Sequence, residues 1–280
     1  AEDGIRDRDV TGVQTCALPI FYPLKSARGI EQTSVTVCHR GFALDRDWMV
    51  VDDRGRFVSQ RTSPEMAMLV AIPTSAGLEL RYPAQSTIQV PFPQQAPDTE
   101  VEVWSDRVRA CDAGQAAADW LSRTFGRSWR LVWLPLQAER RVDPEYAGPV
   151  PSSVSFADGY PILIVNDASL SHLNDRLPRP ITMARFRPNI VVTGWEAFAE
   201  DRIRRVRCGD LELDLVKPCT RCSIPSLDPK TGERDLDPTP VLKTFRYDPT
   251  LRGVTFGVNA LVTRGEGSIV GIGAPIEVVD

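Results

Sequence analysis

Residues 33–60 read TSVTVCHRGFALDRDWMVVDDRGRFVSQ, and this stretch decides the fold class of the chain. Runs rich in valine, threonine and aromatic residues are separated by glycine and aspartate turns, as in β-strands joined by hairpins. The three runs within it are TSVTVCH (33–39), DWMVVDD (47–53) and GRFVSQ (55–60). The pattern continues in AMLVAIP (67–73), LELRYP (78–83), STIQVPF (86–92) and EVEVWSDRVRA (100–110). It predicts a small β-barrel or sandwich over residues 21–110.

A helix is predicted after this segment, at residues 112–126 (DAGQAAADWLSRTFG), with Asp112 as its N-cap. Two shorter helices are predicted, one within residues 167–180, which Asp167 or Asn166 caps and Pro178 ends, and one at 239–247. Further strands are predicted in LVWLP (131–135), YPILIVN (160–166), NIVVTG (189–194), IRRVRCG (203–209), LELDLVKP (211–218) and IVGIGAPIEVVD (269–280). The order predicts a mainly β protein with a β-barrel domain at 21–110, a connecting helix at 111–129 and a second β-rich domain at 130–280.

Length and composition are those of a globular protein with one or two domains, at 280 residues, 42% hydrophobic and 25% charged. No apolar run reaches the roughly 20 residues that a membrane-spanning helix needs. A formal net charge of −4 argues against a protein that binds nucleic-acid polymers or anionic membranes. Because no secretory signal is visible and the cysteines do not form a disulfide framework, we expect a cytoplasmic protein.

Residues 1–20, AEDGIRDRDVTGVQTCALPI, do not read like the start of a protein. They resemble the in-frame translation of an adapter used in sequencing libraries, so we expect this segment to be non-native. The first strand of the barrel is then expected to be wrong or missing. Without the segment, which holds four acids and two bases, the formal net charge is about −2. The remaining cysteines are Cys38, Cys111, Cys208, Cys219 and Cys222.

Cys219 and Cys222 lie three positions apart in LVKPCTRCSIPSLDPKTG (215–232). A structural zinc site needs four ligands, but the chain has two histidines and its other cysteines are scattered. A thioredoxin-like pair needs a following helix, which the prolines after Cys222 oppose. Inert buried thiols are a third alternative. The cations beside the pair favour a thiolate, which suits a soft metal that a cofactor already partly ligates. The residues by themselves leave these alternatives open.

Six motifs occur in order along the chain, YPLKSARGI (22–30), GFALDRDWMVVD (41–52), FADGYPILIV (156–165), RFRPNIVV (185–192), KPCTRCSIPSLDPKTG (217–232) and LKTFR (242–246). With them, residues 21–280 resemble MOSC-domain proteins in which a MOSC N-terminal β-barrel domain precedes the MOSC domain, such as the mitochondrial amidoxime-reducing components and their bacterial relatives. The resemblance implies two β-barrel domains. It also implies binding of molybdenum cofactor, a pterin dithiolene whose metal takes one protein cysteine. The resemblance also implies pyridoxal phosphate binding, though only as a property of the family as a whole.

The resemblance assigns Cys222 as the catalytic residue and metal ligand and Cys219 as a neighbouring non-ligand. The residues that match the positions holding the pterin and its phosphate are Lys25, Ser26, Arg46, Arg187, Asn189, Thr220 and Arg221. Guanidinium, ammonium and hydroxyl groups can donate hydrogen bonds to a phosphate, and a side-chain amide can both donate to and accept from the edge of a pterin ring. Gly159 is included because the amidoxime-reducing components have Thr-Ser where this chain has Gly159-Tyr160. The hydroxyl contacts of that pair are lost here, and the backbone N–H of Gly159 is expected to replace them. Lys217 is expected to join the anion environment, and Asp158 is expected to be a supporting acceptor or a turn residue.

The function that the resemblance implies is reduction of N-hydroxylated small molecules by a molybdenum-cofactor-dependent oxidoreductase. Because no ferredoxin-type cysteine run follows Cys222, electrons are expected from a separate flavin or iron–sulfur partner. Two alternatives need no reductase turnover. One is a carrier of molybdenum cofactor, and the other is a sulfur-transfer protein that works through a Cys222 persulfide.

Overall fold

The computed structural model describes residues 15–148 and 152–279, and strands dominate them. The strands of the first half are β1 (Thr15–Phe21), β2 (Ile30–Glu31), β3 (Ser34–Cys38), β4 (Gly41–Phe42), β5 (Trp48–Val51), β6 (Val70–Thr74), β7 (Gly77–Arg81), β8 (Ile88–Pro91), β9 (Thr99–Val103), β10 (Asp106–Asp112) and β11 (Arg130–Trp133). Those of the second half are β12 (Ile162–Asn166), β13 (Ile190–Thr193), β14 (Arg205–Cys208), β15 (Leu211–Thr220), β16 (Tyr247–Asp248), β17 (Gly253–Arg264), β18 (Ile269–Gly271) and β19 (Glu277–Val278). The helices are α1 (Gln115–Phe125), α2 (Pro144–Ala147), α3 (Asp167–Asn174) and α4 (Thr239–Arg246). The predicted mainly β class is confirmed.

The largest sheet joins both ends of the chain. Its strand order is β19-β14-β15-β17-β12-β13-β1-β2, with β16 also paired to β17. The N-terminal strand β1 runs antiparallel to β13, and β3 pairs with β18 through Val35 and Val270. The first strands of the chain therefore complete sheets that the second half builds.

The remaining part of the first half forms two smaller sheets, β5-β11-β10-β9 and β6-β7-β8. Helix α1 packs its buried Trp120 and Leu121 into a core that also contains Trp48 and Leu80. Strand β11 hydrogen-bonds to β5, so residues 130–133 belong to a sheet of the first half. The hydrogen-bonded sheets cross the predicted domain bounds. The division into 21–110, 111–129 and 130–280 therefore stays a prediction made from the sequence.

Several local predictions needed correction. Helix α1 is capped by Gly114 with no side-chain bond, because Asp112 belongs to β10 and accepts a hydrogen bond from the Gly114 N–H. In contrast, Asn166 caps α3 through the Ala168 N–H, as proposed for that helix start. The run at 55–60 forms isolated bridges rather than a strand. The long strand β17 was not predicted. Among the described residues, no helix is long and apolar enough to cross a membrane.

The N-terminal segment is only partly within the described residues. The prediction that residues 1–14 are adapter-derived lies outside them. The first strand was expected to be wrong or missing, and it is not missing, because Thr15–Phe21 form β1 and pair with β13, with Pro19 opposite Ile190. Strand pairing uses backbone groups that nearly every residue carries, so an extended segment of any origin can occupy the exposed edge of β13. The non-native origin of residues 15–20 therefore stays a prediction.

Candidate functional site

A cleft with a cavity volume of about 130 Å³, open at its mouth, lies where segments of the two halves meet. Clefts between such units are common places for small-molecule sites. Nine of the residues expected from the sequence line this cleft, namely Lys25, Ser26, Arg46, Gly159, Arg187, Asn189, Thr220, Arg221 and Cys222. The structure therefore brings together positions that are up to 197 residues apart in the chain. Their proposed roles stay predictions.

Three of the lining residues have an unusual backbone. Ser26, Arg46 and Arg187 have φ values of +65°, +53° and +55°. This left-handed region is uncommon for residues with a side chain, and such strained positions cluster at functional sites. Each lies in a connection rather than in a strand or helix, so the loops of the fold are bent sharply where they form the cleft.

The buried ring of Tyr22 organises two of the guanidinium groups. The Cζ atoms of Arg46 and Arg187 lie 4.2 and 4.1 Å from the centre of that ring. The Arg46 guanidinium also pairs with the buried carboxylate of Asp45, which accepts a hydrogen bond from the Tyr22 N–H at 2.7 Å. Burial raises the pKa of Tyr22 although both arginines oppose this, so the ring stays neutral. Both charges are thus held against one buried ring before any anion binds.

Asn189 is buried behind Arg46. Its Oδ1 accepts from Arg46 Nη1 at 3.0 Å and from the Leu163 N–H at 3.2 Å, while Nδ2 donates to the Ile20 carbonyl at 3.3 Å. These bonds use both ends of the amide. In this structure Asn189 positions Arg46 and ties three strands together, and its expected contact with a pterin edge stays a prediction.

Lys25 is held in the cleft by two acceptors. Its Nζ donates to the Phe156 carbonyl at 2.7 Å and to Asp158 Oδ1 at 2.6 Å. Burial lowers the pKa of Lys25 to about 8, and the Asp158 carboxylate opposes that shift. Burial would raise the pKa of Asp158, but the Lys25 ammonium and other donors lower it below its ordinary value. Asp158 also accepts from Trp104 Nε1 at 3.2 Å, so it is a supporting acceptor as well as a turn residue.

The two cysteines differ in their surroundings. Cys219 lies near the end of β15, is half-buried and accepts a hydrogen bond from Arg221 Nη1 at 3.0 Å. Cys222 lies beyond the strand and is exposed to the cleft. Arg221 Nη2 donates to the Phe186 carbonyl at 2.7 Å, whereas its Nε is buried and makes no hydrogen bond among the described residues. The charge of Arg221 therefore lies against Cys219, and one donor in the cleft lacks a protein acceptor.

The geometry weighs against the other interpretations of the cysteine pair. The segment after Cys222 forms a three-residue 3₁₀ turn, Ile224–Ser226, and not the α-helix that a thioredoxin-like pair uses. Within residues 15–148 and 152–279, no group of three or more His, Cys, Asp and Glu side chains is arranged to hold a metal. A closed zinc site is therefore absent from that part of the chain.

Lys217 does not join the cleft as expected. Its Nζ lies 3.8 Å from the centre of the Tyr146 ring and 6.0 Å from that of Tyr160. Regular alternation along β15 would place Lys217 on the same face as Cys219, two positions on, but the register of β15 shifts between Pro218 and Thr220, so that relation is broken. At Gly159 the space is open, because a Cβ built there would meet no atom within 4 Å.

Several lining residues were missed by sequence reasoning, among them Ser59, Arg61, Tyr160 and Asn259. Arg61 follows the run at 55–60 that was predicted as a strand, and Asn259 lies in the strand β17 that was not predicted. The valine and threonine content of residues 253–264 is a signal that could have identified β17. No spacing or composition near Arg61 indicates that it reaches the cleft.

Comparison with known proteins gives the family. The MOSC N-terminal beta barrel domain matches residues 16–128, and the MOSC domain matches residues 151–277. Mitochondrial amidoxime-reducing component 1 of Mus musculus is 31% identical over 256 residues, covering 88% of this chain and 75% of that protein. The Xenopus laevis protein of the same name is 31% identical over 251 residues, covering 84% and 72%. Human mitochondrial amidoxime reducing component 2 is 30% identical over 258 residues, covering 88% and 77%. The chain belongs to the MOSC family, with a MOSC N-terminal beta barrel domain followed by a MOSC domain.

Proposed function

We propose that this protein binds molybdenum cofactor in the cleft and reduces N-hydroxylated small molecules with electrons from a separate donor protein. The observation that carries the proposal is one cleft that combines an exposed cysteine, Cys222, with a set of preorganised cations. The names of the similar proteins, amidoxime-reducing components, support the choice of substrate class. The alternatives without turnover, a carrier or a sulfur-transfer protein, explain the cleft but give no reason for that likeness.

The residues present fit an anionic pterin cofactor. A pterin phosphate brings about two negative charges near neutral pH, and guanidinium forks are suited to bind it. Lys25, Arg46, Arg187 and Arg221 would hold the anionic end, and the orphaned Nε of Arg221 offers it a buried donor. Cys222 would supply the thiolate ligand to the metal. When bound, the cofactor supplies a metal centre that exchanges electrons in oxygen-removal chemistry.

The residues of the chain prepare this site in three ways. Tyr22 and Asp45 hold the guanidiniums of Arg46 and Arg187 in place, which lowers the ordering cost of binding. Lys25 remains charged below its pKa of about 8 and so adds to the positive potential near neutral pH. The bonds from Arg221 to Cys219 and Phe186 fix the strand end from which Cys222 projects.

The overall reaction balances with two electrons and two protons. The N–O bond of an amidoxime breaks, the oxygen leaves as water and an amidine is formed. The substrate is the group that is reduced, so the electrons have to come from a separate flavin or iron–sulfur reductase. No residue of this cleft has to act as the electron source.

The metal assignment is tested by the two neighbouring cysteines. When the chain is produced together with the cofactor pathway, we expect about one molybdenum per chain by elemental analysis. Cys222→Ala should remove at least nine-tenths of the metal, because the thiolate ligand is lost, whereas Cys219→Ala, the matched control, should retain most of it. Equal metal content in both variants would contradict the ligand assignment.

Turnover is tested with benzamidoxime and a chemical electron donor. The metal-loaded chain should form benzamidine, and Cys222→Ala should not. A chain that carries molybdenum and reduces no member of a panel of N-hydroxylated compounds would support the carrier instead. A persulfide on Cys222, found by mass spectrometry in metal-free protein, would support sulfur transfer.

A further inference from the structure

A second cleft adjoins the first and shares Ser59 and Arg61 with it. Its wall includes Phe57 and Trp104, whose ring centres are 5.1 Å apart. The Arg61 Cζ lies 4.2 Å from the centre of the Trp104 ring. An arginine plane supported by an aromatic ring therefore stands on the border between the two clefts.

Arg61 differs from the other cations of the first cleft. Lys25, Arg46, Arg187 and Arg221 all donate hydrogen bonds to protein acceptors. The Arg61 guanidinium makes no hydrogen bond and no ion pair with any residue of the described part, and it is held by its ring contacts. Its flat face and its five N–H donors are available to a ligand.

Trp104 occupies a backbone position that tryptophan ordinarily avoids. Val103 pairs with Asp106, so Trp104 and Ser105 form a two-residue hairpin loop between β9 and β10. Trp104 has φ +59°, in a loop position where glycine, asparagine or aspartate is favoured. The residue is still 42% exposed, so burial does not offset that cost. Such a violation of a local rule is expected at a functional position.

The hairpin is tied to the first cleft through one carboxylate. Trp104 Nε1 donates to Asp158 Oδ1 at 3.2 Å, and the same oxygen accepts from Lys25 Nζ at 2.6 Å. This bond fixes the orientation of the indole ring relative to the cofactor cleft. The aromatic surface is thus rigidly placed next to the proposed reaction site.

We infer that Arg61 and Trp104 form a subsite that binds the planar ring of aromatic N-hydroxylated substrates and so determines their preference over aliphatic ones. The inference rests on the proposed function. Flat rings stack favourably on guanidinium planes and on aromatic side chains, whereas an alkyl group gains less from such a surface. Arg61, supported from one side by Trp104, would contact the ring directly, and Trp104 would hold the arginine plane in position.

The test compares benzamidoxime with acetamidoxime, which share the reacting group and differ in the ring. In the metal-loaded chain, Trp104→Ala should lower the ratio of kcat/KM for benzamidoxime over acetamidoxime about tenfold, which is about 1.4 kcal/mol. The change should appear in KM for benzamidoxime, with kcat altered less than twofold. Arg61→Lys keeps the charge but loses the plane, and it should lower the same ratio.

Trp104→Phe separates stacking from the bond to Asp158, because it keeps a ring and loses the Nε1–H donor. We expect this variant to keep at least half of the parental preference. An unchanged ratio in both Trp104→Ala and Arg61→Lys would overturn the inference, and so would equal loss in Trp104→Phe and Trp104→Ala. Urea unfolding of each variant shows whether it remains folded.

Failure of the proposed function would look different. If the parent chain reduces neither amidoxime, saturation-transfer NMR with benzamidoxime still tests the subsite. Its ring protons should show enhancement with the parent chain and lose most of it with Trp104→Ala. Equal enhancement, or none with the parent, would overturn the subsite even if a different reaction were found.

Discussion

At the scale of single residues, the cleft is a set of charges that the protein has already arranged. The guanidinium groups of Arg46 and Arg187 both lie against the ring of Tyr22. The ammonium of Lys25 donates hydrogen bonds to a carbonyl and a carboxylate. Holding like charges together costs free energy in the empty protein, which an anion of opposite charge relieves when it binds. The charges are therefore better explained by a ligand than by folding alone.

Lys25 makes anion binding depend on pH. Because burial lowers its pKa to about 8, the folded protein loses this charge as pH rises above that value, and binding of an anion should weaken. We expect sulfate, whose charge is constant in this range, to bind about tenfold more weakly at pH 9.5 than at pH 7, measured by its effect on thermal unfolding.

Lys25→Gln is the matched variant, since it has no charge at either pH. It should bind sulfate weakly throughout and show no step near pH 8.

The titration of Lys25 has the opposite effect on the stability of the fold. Between about pH 8 and the ordinary lysine value of 10.5, the unfolded chain holds a proton that the folded chain has lost, so stability through Lys25 rises with pH. A sulfate affinity that is flat in the parent would contradict the shift.

At the scale of elements, β15 and β17 carry the cysteine side of the cleft. They pair from Glu212 opposite Arg264 to Thr220 opposite Thr255, and their register shifts at three points. Such irregularities bend a strand and redirect its side chains. Thr220 and Asn259 reach the cleft from these two strands, whereas Lys217 lies against Tyr146 instead.

Gly257 makes the bend of β17 possible. It has φ +74°, and a Cβ there would lie 2.6 Å from Val165 Cγ2 and 2.8 Å from the Ile164 carbonyl oxygen. We expect Gly257→Ala to lower the free energy of unfolding by about 3 kcal/mol, from left-handed strain together with the close contacts. Gly273→Ala is the control, since Gly273 has φ +70° and open space around it, and it should lose about 1 kcal/mol. Urea unfolding measures both, and equal losses would show that the contacts with β12 do not matter.

At the scale of the whole molecule, the two halves share one of the hydrophobic clusters that form the core. The side chains of Phe21, Val35, Val37 and Phe42 pack in the cluster that contains Ile164 and Val258 of the second half. Together with the paired edges of β13 and β18, this makes the second half structurally incomplete without the first strands. The cleft depends on the same union, because its cations come from both halves.

This shared core predicts that residues 151–280 do not fold cooperatively by themselves. The four apolar side chains contributed by the first half are worth about 6–12 kcal/mol at roughly 1.5–3 kcal/mol each. That is comparable with the typical total stability of 5–15 kcal/mol. Residues 15–280 should unfold in one transition, followed by circular dichroism and by tryptophan fluorescence, and the shorter fragment should show none. A cooperative transition in the fragment would contradict the shared core.

The sequence predicted many residues of the site but fewer of the contacts between them. Nine cleft residues were named from motifs, and the structure places these nine on one cleft. Arg61 and Trp104 were missed because their meeting depends on a loop and a hairpin that are 43 positions apart. The position of Lys217 was wrong because a register irregularity in β15 cannot be read from the residues alone.

By itself the sequence determined the β class, the position of helix α1, the family and those cleft residues that its motifs contain, because strand propensity, helical spacing and motifs are local properties. Tertiary structure decided which strands pair, since β1 and β3 join partners from the far end of the chain. It also decided that Arg221 lies against Cys219 and leaves Cys222 exposed. These arrangements arise from long-range hydrogen bonding and burial, which connect residues that no local pattern relates.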